Sequence, residues 1–109
     1  MQTVTLSTGT ILKIVRRVDD FGASIVIESA EAVGGLRLEW AGACADDLVG
    51  GALARHADDQ DLYLSVSVST TRTGITLSYD GREEEVALPT AEDRARLAEA
   101  IRAAALEVP

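Results

Sequence analysis

The sequence predicts an α+β domain in which one antiparallel sheet of six or seven strands carries two helices on its apolar face. Three observations lead there. Leu62, Leu64, Val66 and Val68 alternate with Tyr63, Ser65, Ser67 and Ser69, the period of a strand buried on one side. Two segments, Ala43 to Ala57 and the stretch after Pro89, space their apolar residues as helices do. The connections between segments are short and rich in Gly, Asp, Ser and Thr, which suits antiparallel neighbours.

The elements follow in order. Thr3 to Ser7 alternates, with Val4 and Leu6 on one face, and Ser7-Thr8-Gly9-Thr10 turns the chain. Ile11 to Val18 is a strand with Leu12, Ile14 and Val18 on one side. Asp19-Asp20-Phe21-Gly22 is a hairpin loop leading into a strand with Ile25 and Ile27 inward. Glu31 to Gly35 reads as a loop, and Leu36, Leu38 and Trp40 alternate as a fourth strand. The first helix carries Leu48, Val49, Ala52, Leu53 and His56 on its apolar stripe. Asp46 and Asp47 fall in its first turns, where carboxylates suit the dipole. Gly50-Gly51 sits inside it and is read as a close-packing point. Asp58 to Asp61 is a polar link. After the Leu62–Ser69 strand, Ile75, Leu77 and Tyr79 mark the next one, and Asp80-Gly81 is a two-residue hairpin signal. Glu84 to Leu88 follows. Thr90 caps the last helix, whose core stripe is Leu97, Ile101, Ala104 and Ala105.

The apolar pattern recurs about fifty residues on, as a tandem βββα pseudo-repeat. Leu12, Ile14 and Val18 match Leu62, Leu64 and Val68; Ile25 and Ile27 match Ile75 and Leu77; Leu48 and Ala52 match Leu97 and Ile101. Residues 1–109 make a single domain at this length.

Composition sets the exclusions. A hydrophobic content of 47% with 26% charged residues describes a globular chain. The formal net charge of −8 argues against nucleic acid and anionic membrane and suits a basic partner. No apolar run reaches the ~20 residues that span a bilayer, and Met1 to Leu6 lacks the basic and apolar regions of a signal peptide. The lone Cys44 excludes an internal disulfide and suits a reducing compartment, so a cytoplasmic location is expected. Lys13 is the only lysine, and with abundant Ala this is the coding bias of a GC-rich bacterium.

No motif specifies a reaction, and no cofactor or metal is expected. On one continuous helix Cys44 and His56 would stand ~18 Å apart and form no dyad. His56 is therefore expected to meet the carbonyls at a helix end, and Cys44 to be a small buried hydrophobe. Asp58, Asp59 and Asp61 lack the glycine and closing glutamate of a calcium loop. The Lys13, Arg16 and Arg17 cluster reads as an edge strand guarded by charge.

What remains is surface. The expected function is that of a non-catalytic protein-binding module, a small acidic regulator, immunity or assembly factor. The alternative is a small-ligand binder or cyclase-like enzyme with a cavity between sheet and helices, lined by Trp40, Tyr79 or His56. The expected contact residues are Arg37, Tyr63, Ser65 and Ser67 on the Ser/Thr sheet face, which would also suit a homodimer, and Asp58, Asp59 and Asp61 in the acidic link.

Overall fold

A computed structural model describes residues 1–59 and 64–107. The class is α+β with antiparallel pairing throughout, but the strands form two sheets rather than one. The first contains β1 (Gln2–Thr5), β2 (Ile11–Asp19), β3 (Gly22–Glu28) and β4 (Val33–Arg37), in that spatial order. A 3-10 turn at Leu38–Trp40 leads into α1 (Ala41–Gly50). The second sheet contains β5 (Ala54–Ala57), β6 (Val66–Thr70), β7 (Gly74–Tyr79) and β8 (Arg82–Ala87), again in spatial order, and α2 (Ala91–Ala105) follows. The repeated unit is thus ββββα, and the expected six or seven strands become eight.

The additional strand comes from the segment expected to finish the first helix. Gly51 ends α1 in the left-handed region (φ 73°, ψ 20°), its N–H donating to the Asp47 carbonyl. Gly50 has open space where a side chain would stand, so the glycine pair stops the helix instead of packing it. The chain then doubles back, and Ala54 and His56 pair with Thr70 and Val68. The buried Thr70 hydroxyl secures this return. It donates to the Ala52 carbonyl at 2.6 Å and accepts from the Ala54 N–H at 3.0 Å. The helix also begins earlier than expected, at Ala41, which moves Asp46 and Asp47 out of its first turn. Asp46 pairs with Arg102 of α2 instead.

Gly34-Gly35, expected in a loop, lies inside β4 and explains how the sheets meet. A Cβ on Gly34 would stand 2.6 Å from the Ser67 carbonyl oxygen and 3.0 Å from the Leu77 side chain; one on Gly35 would stand 3.1 Å from Val66. β4 therefore rests against β6 and β7 at backbone distance, which only glycine permits. The expected strand at Leu36–Trp40 gives way to the 3-10 turn, which leaves Trp40 exposed while Leu36 stays fully buried.

One core runs through both sheets and both helices. Leu12, Ile14, Ile25, Ile27 and Leu36 from the first sheet join Val68, Ile75 and Leu77 from the second, with Leu48 of α1 and Leu97 and Ile101 of α2. α2 packs along β1, β2 and β3 and against α1. Its start is the one expected: Thr90 Oγ1 accepts from the Asp93 N–H at 3.0 Å. β1 flanks β2 only from Ile11 to Ile14, so Lys13 lies inside the sheet, whereas Arg16 and Arg17 pair with β3 alone on the stretch of β2 that β1 leaves uncovered. Arg16 pairs across from the buried Ile25 and donates to the Glu107 backbone carbonyl beyond the end of α2.

Candidate functional site

The distinctive surface is built on the β7–β8 hairpin. Asp80 (φ 50°) and Gly81 (φ 84°) both take positive φ, the requirement of a type I′ turn, as their Asp-Gly identity leads one to expect. That turn makes Tyr79 and Arg82 a hydrogen-bonded pair, and such pairs alternate along an antiparallel ladder. The Leu88 N–H donates to the Thr73 carbonyl at 2.9 Å at the far end, in phase with this alternation. Arg82, Glu84 and Val86 thus spend their backbone groups on β7. Glu83, Glu85 and Ala87 point theirs outward, where β8 forms the rim of its sheet.

A groove runs beside that rim. One section, about 580 Å³, lies between the β3–β4 turn (Glu28, Glu31, Val33) and Tyr79, Arg82 and Glu84. The adjoining section, about 620 Å³, continues past the β1–β2 turn to Glu85, Val86 and Ala87, and Glu31 and Glu84 line both. Glu28, Glu31, Glu83, Glu84 and Glu85 thus border one channel, opposed by Arg82 alone. Among the described residues none of these five glutamates joins a salt bridge. Five acidic residues along one channel, against a single arginine, raise the local negative potential.

Of the residues expected to meet a partner, Arg37, Asp58, Asp59, Ser65 and Ser67 are described, and none of them lines this groove. Ser65 is exposed but accepts from Arg55, whose guanidinium also grips Asp59 at 3.1 Å. That hydrogen bond, aided by the Val66 N–H, holds the Asp59 carboxyl below its usual range. Ser67 lies mid-sheet between Ala57 and Ser78 and is 2% exposed, and Asp58 is 5% exposed; burial removes both from direct contact with a partner. Arg37 reaches Asp58 at 3.8 Å, Glu39 at 3.4 Å and the Phe21 carbonyl at 3.1 Å. Tyr63 and Asp61 fall outside the described residues. The triplet Glu83-Glu84-Glu85 was legible as an acidic run beside an Asp-Gly turn. That it borders a groove was not, because the opposite wall comes from residues some fifty positions earlier.

His56 is not at a helix end. It lies on β5, nearly buried, with Nε2 2.8 Å from Asp47 Oδ2, so the chain reversal at Gly51 brings it back to α1. Cys44, one helical turn before Asp47, is fully buried as expected. Burial, reinforced by the Asp47 charge, pushes its thiol up to about 12, which keeps it protonated and a poor nucleophile. The pair His56–Asp47 ties strand to helix, and neither residue lines the groove.

Among the described residues no cluster of three or more His, Cys, Asp or Glu is placed to hold a metal, and no helix is long and apolar enough to cross a membrane. Compared with known proteins, the chain matches no family model, no curated protein and no solved structure.

Proposed function

We propose that this protein is a non-catalytic protein-binding module that receives a basic segment of its partner in the groove beside β8. Action by steric contact suits a small acidic regulator, immunity or assembly factor. The observation that carries the reading is the row of five glutamates that, among the described residues, make no ion pair along one channel of adequate size. A net charge of −8 adds long-range steering of a cationic partner towards it. Self-association through β8 is disfavoured, since it would set Glu83-Glu84-Glu85 of two copies against each other.

The experiment is a titration with an end-blocked dodecapeptide of alternating lysine and threonine, read by fluorescence anisotropy. Binding should weaken steeply with added salt and fall at least tenfold in the triple variant E83Q/E84Q/E85Q. Binding indifferent to both would refute the groove as the site.

Tyr79 favours a second reading. Its ring lines the first section among carboxylates, an arrangement that also suits a small organic cation. A polyamine that binds with unit stoichiometry and is lost in Tyr79→Ala, while the peptide does not bind, would select it. The groove lies between sheet margins, not between sheet and helices, and Trp40 and His56 do not line it.

A further inference from the structure

The free rim of β8 points to how the partner is held. We infer that an extended cationic segment of a partner protein adds to the second sheet as a ninth strand, pairing its backbone with Glu83, Glu85 and Ala87 of β8. The inference rests on the groove reading above and specifies its geometry.

Three observations carry it. First, the hydrogen-bond phase of the hairpin leaves three successive sets of outward N–H and C=O groups on β8, spaced as a pairing strand requires. Second, this rim differs from the other three. β1 lies beside α2, β4 rests on β6 and β7, and β5 meets β4 and α1, whereas the β8 backbone, among the described residues, runs close to β7 alone, with only the Val86 side chain reaching the core. Five of its six residues are exposed. Third, the groove runs along that same rim, with its far wall in the β1–β2 and β3–β4 turns. A six-residue strand spans ~20 Å, so a segment of about the same length would match it.

Charge selects the occupant. Glutamates on an edge strand repel a second copy of the same strand, as natural sheets do to avoid edge-to-edge growth. They favour a strand with lysine or arginine at alternate positions, since opposite charges on paired strands attract and like charges repel. The exposed Ile11 and the Val33 side chain give the channel an apolar wall for the intervening residues.

The test separates backbone pairing from charge. The same lysine–threonine dodecapeptide is titrated into the wild-type protein, E85Q, E85P and E83Q/E84Q/E85Q. Proline at 85 removes an outward N–H while leaving the β7–β8 ladder its hydrogen bonds, because Glu85 is not a bonded position. We expect E85P to bind at least fivefold more weakly than E85Q. Amide exchange of Glu83, Glu85 and Ala87 in the wild-type protein should slow at least tenfold when peptide is bound. If E85P binds as tightly as E85Q, or those amides exchange as fast with peptide as without, strand addition is wrong. Should the triple glutamine variant still lose binding in that case, the groove reading stands without it. If the wild-type protein binds no peptide, both fall.

Discussion

A single methyl group tests how the two sheets meet. Gly34→Ala sets a Cβ against the Ser67 backbone oxygen, which has no rotamer to escape into. We expect a destabilisation of about 1–3 kcal/mol, the usual cost of overpacking, measured by urea denaturation. Gly50→Ala meets nothing and lies in a helix, so it should stabilise by up to about 1 kcal/mol. Equal effects at the two positions would refute the contrast. Asp93 makes a second test at this scale. It sits in the first turn of α2, buried, and accepts from both the N–H and the hydroxyl of Ser7 in the β1–β2 turn. The Ser7 hydroxyl first, then its N–H, hold the carboxyl below the ordinary range. Folding therefore favours the ionised form: the contribution is complete above the ordinary aspartate pKa and is lost as pH falls through the lower native value. Asp93→Asn should be less stable than wild type at pH 7, and the gap should narrow below about pH 4 in parallel melts.

Elements are joined at a few polar clasps. Arg94 of α2 reaches the Leu48 carbonyl near the end of α1 at 3.2 Å, and the Thr71 and Arg72 carbonyls of the β6–β7 turn at 2.6 and 2.9 Å. A cation at a helix C-terminus is favourable, and here one guanidinium binds two elements to a third. Arg94→Ala should cost about 1–3 kcal/mol, since it takes this donor from two partly buried carbonyls, those of Leu48 and Thr71. Hydrogen exchange should speed most at the end of α1 and in the β6–β7 turn. Uniform acceleration across the protein would show that the residue acts only through global stability. His56–Asp47 is the other clasp, joining β5 to α1.

The whole molecule should unfold as one unit. Its core draws on both sheets and both helices, so neither ββββα half buries its apolar face without the other. Trp40, at the junction of the first sheet and α1, gives a local probe, and far-ultraviolet circular dichroism a global one. Their urea transitions should coincide. Separate midpoints would mean that the halves fold as independent repeats. At this scale the net charge of −8 also has its effect, since the groove glutamates sit in a field of the same sign.

Local periodicity and turn chemistry were enough for most of the elements. The Asp80-Gly81 turn and the Thr90 cap arise from interactions within a few residues, and each stands where the sequence placed it. The strand around Val66 and Val68 was legible too, but it spans Val66–Thr70 rather than Leu62–Ser69 and buries Ser67 as well, so the expected one-sided alternation does not hold. The burial of Cys44 was legible from its residue type, a small apolar side chain. The glycine pairs were not. Gly50-Gly51 and Gly34-Gly35 look alike in sequence, yet one ends a helix in open space and the other admits a second sheet at backbone distance. Which role a glycine takes depends on what lies opposite it, and that is set by contacts between residues far apart in the chain. The number of sheets, the return of His56 to Asp47 and the channel between β8 and the β3–β4 turn have that same origin. Composition alone determined the acidity of this protein; the tertiary fold decided that five of its glutamates border one groove.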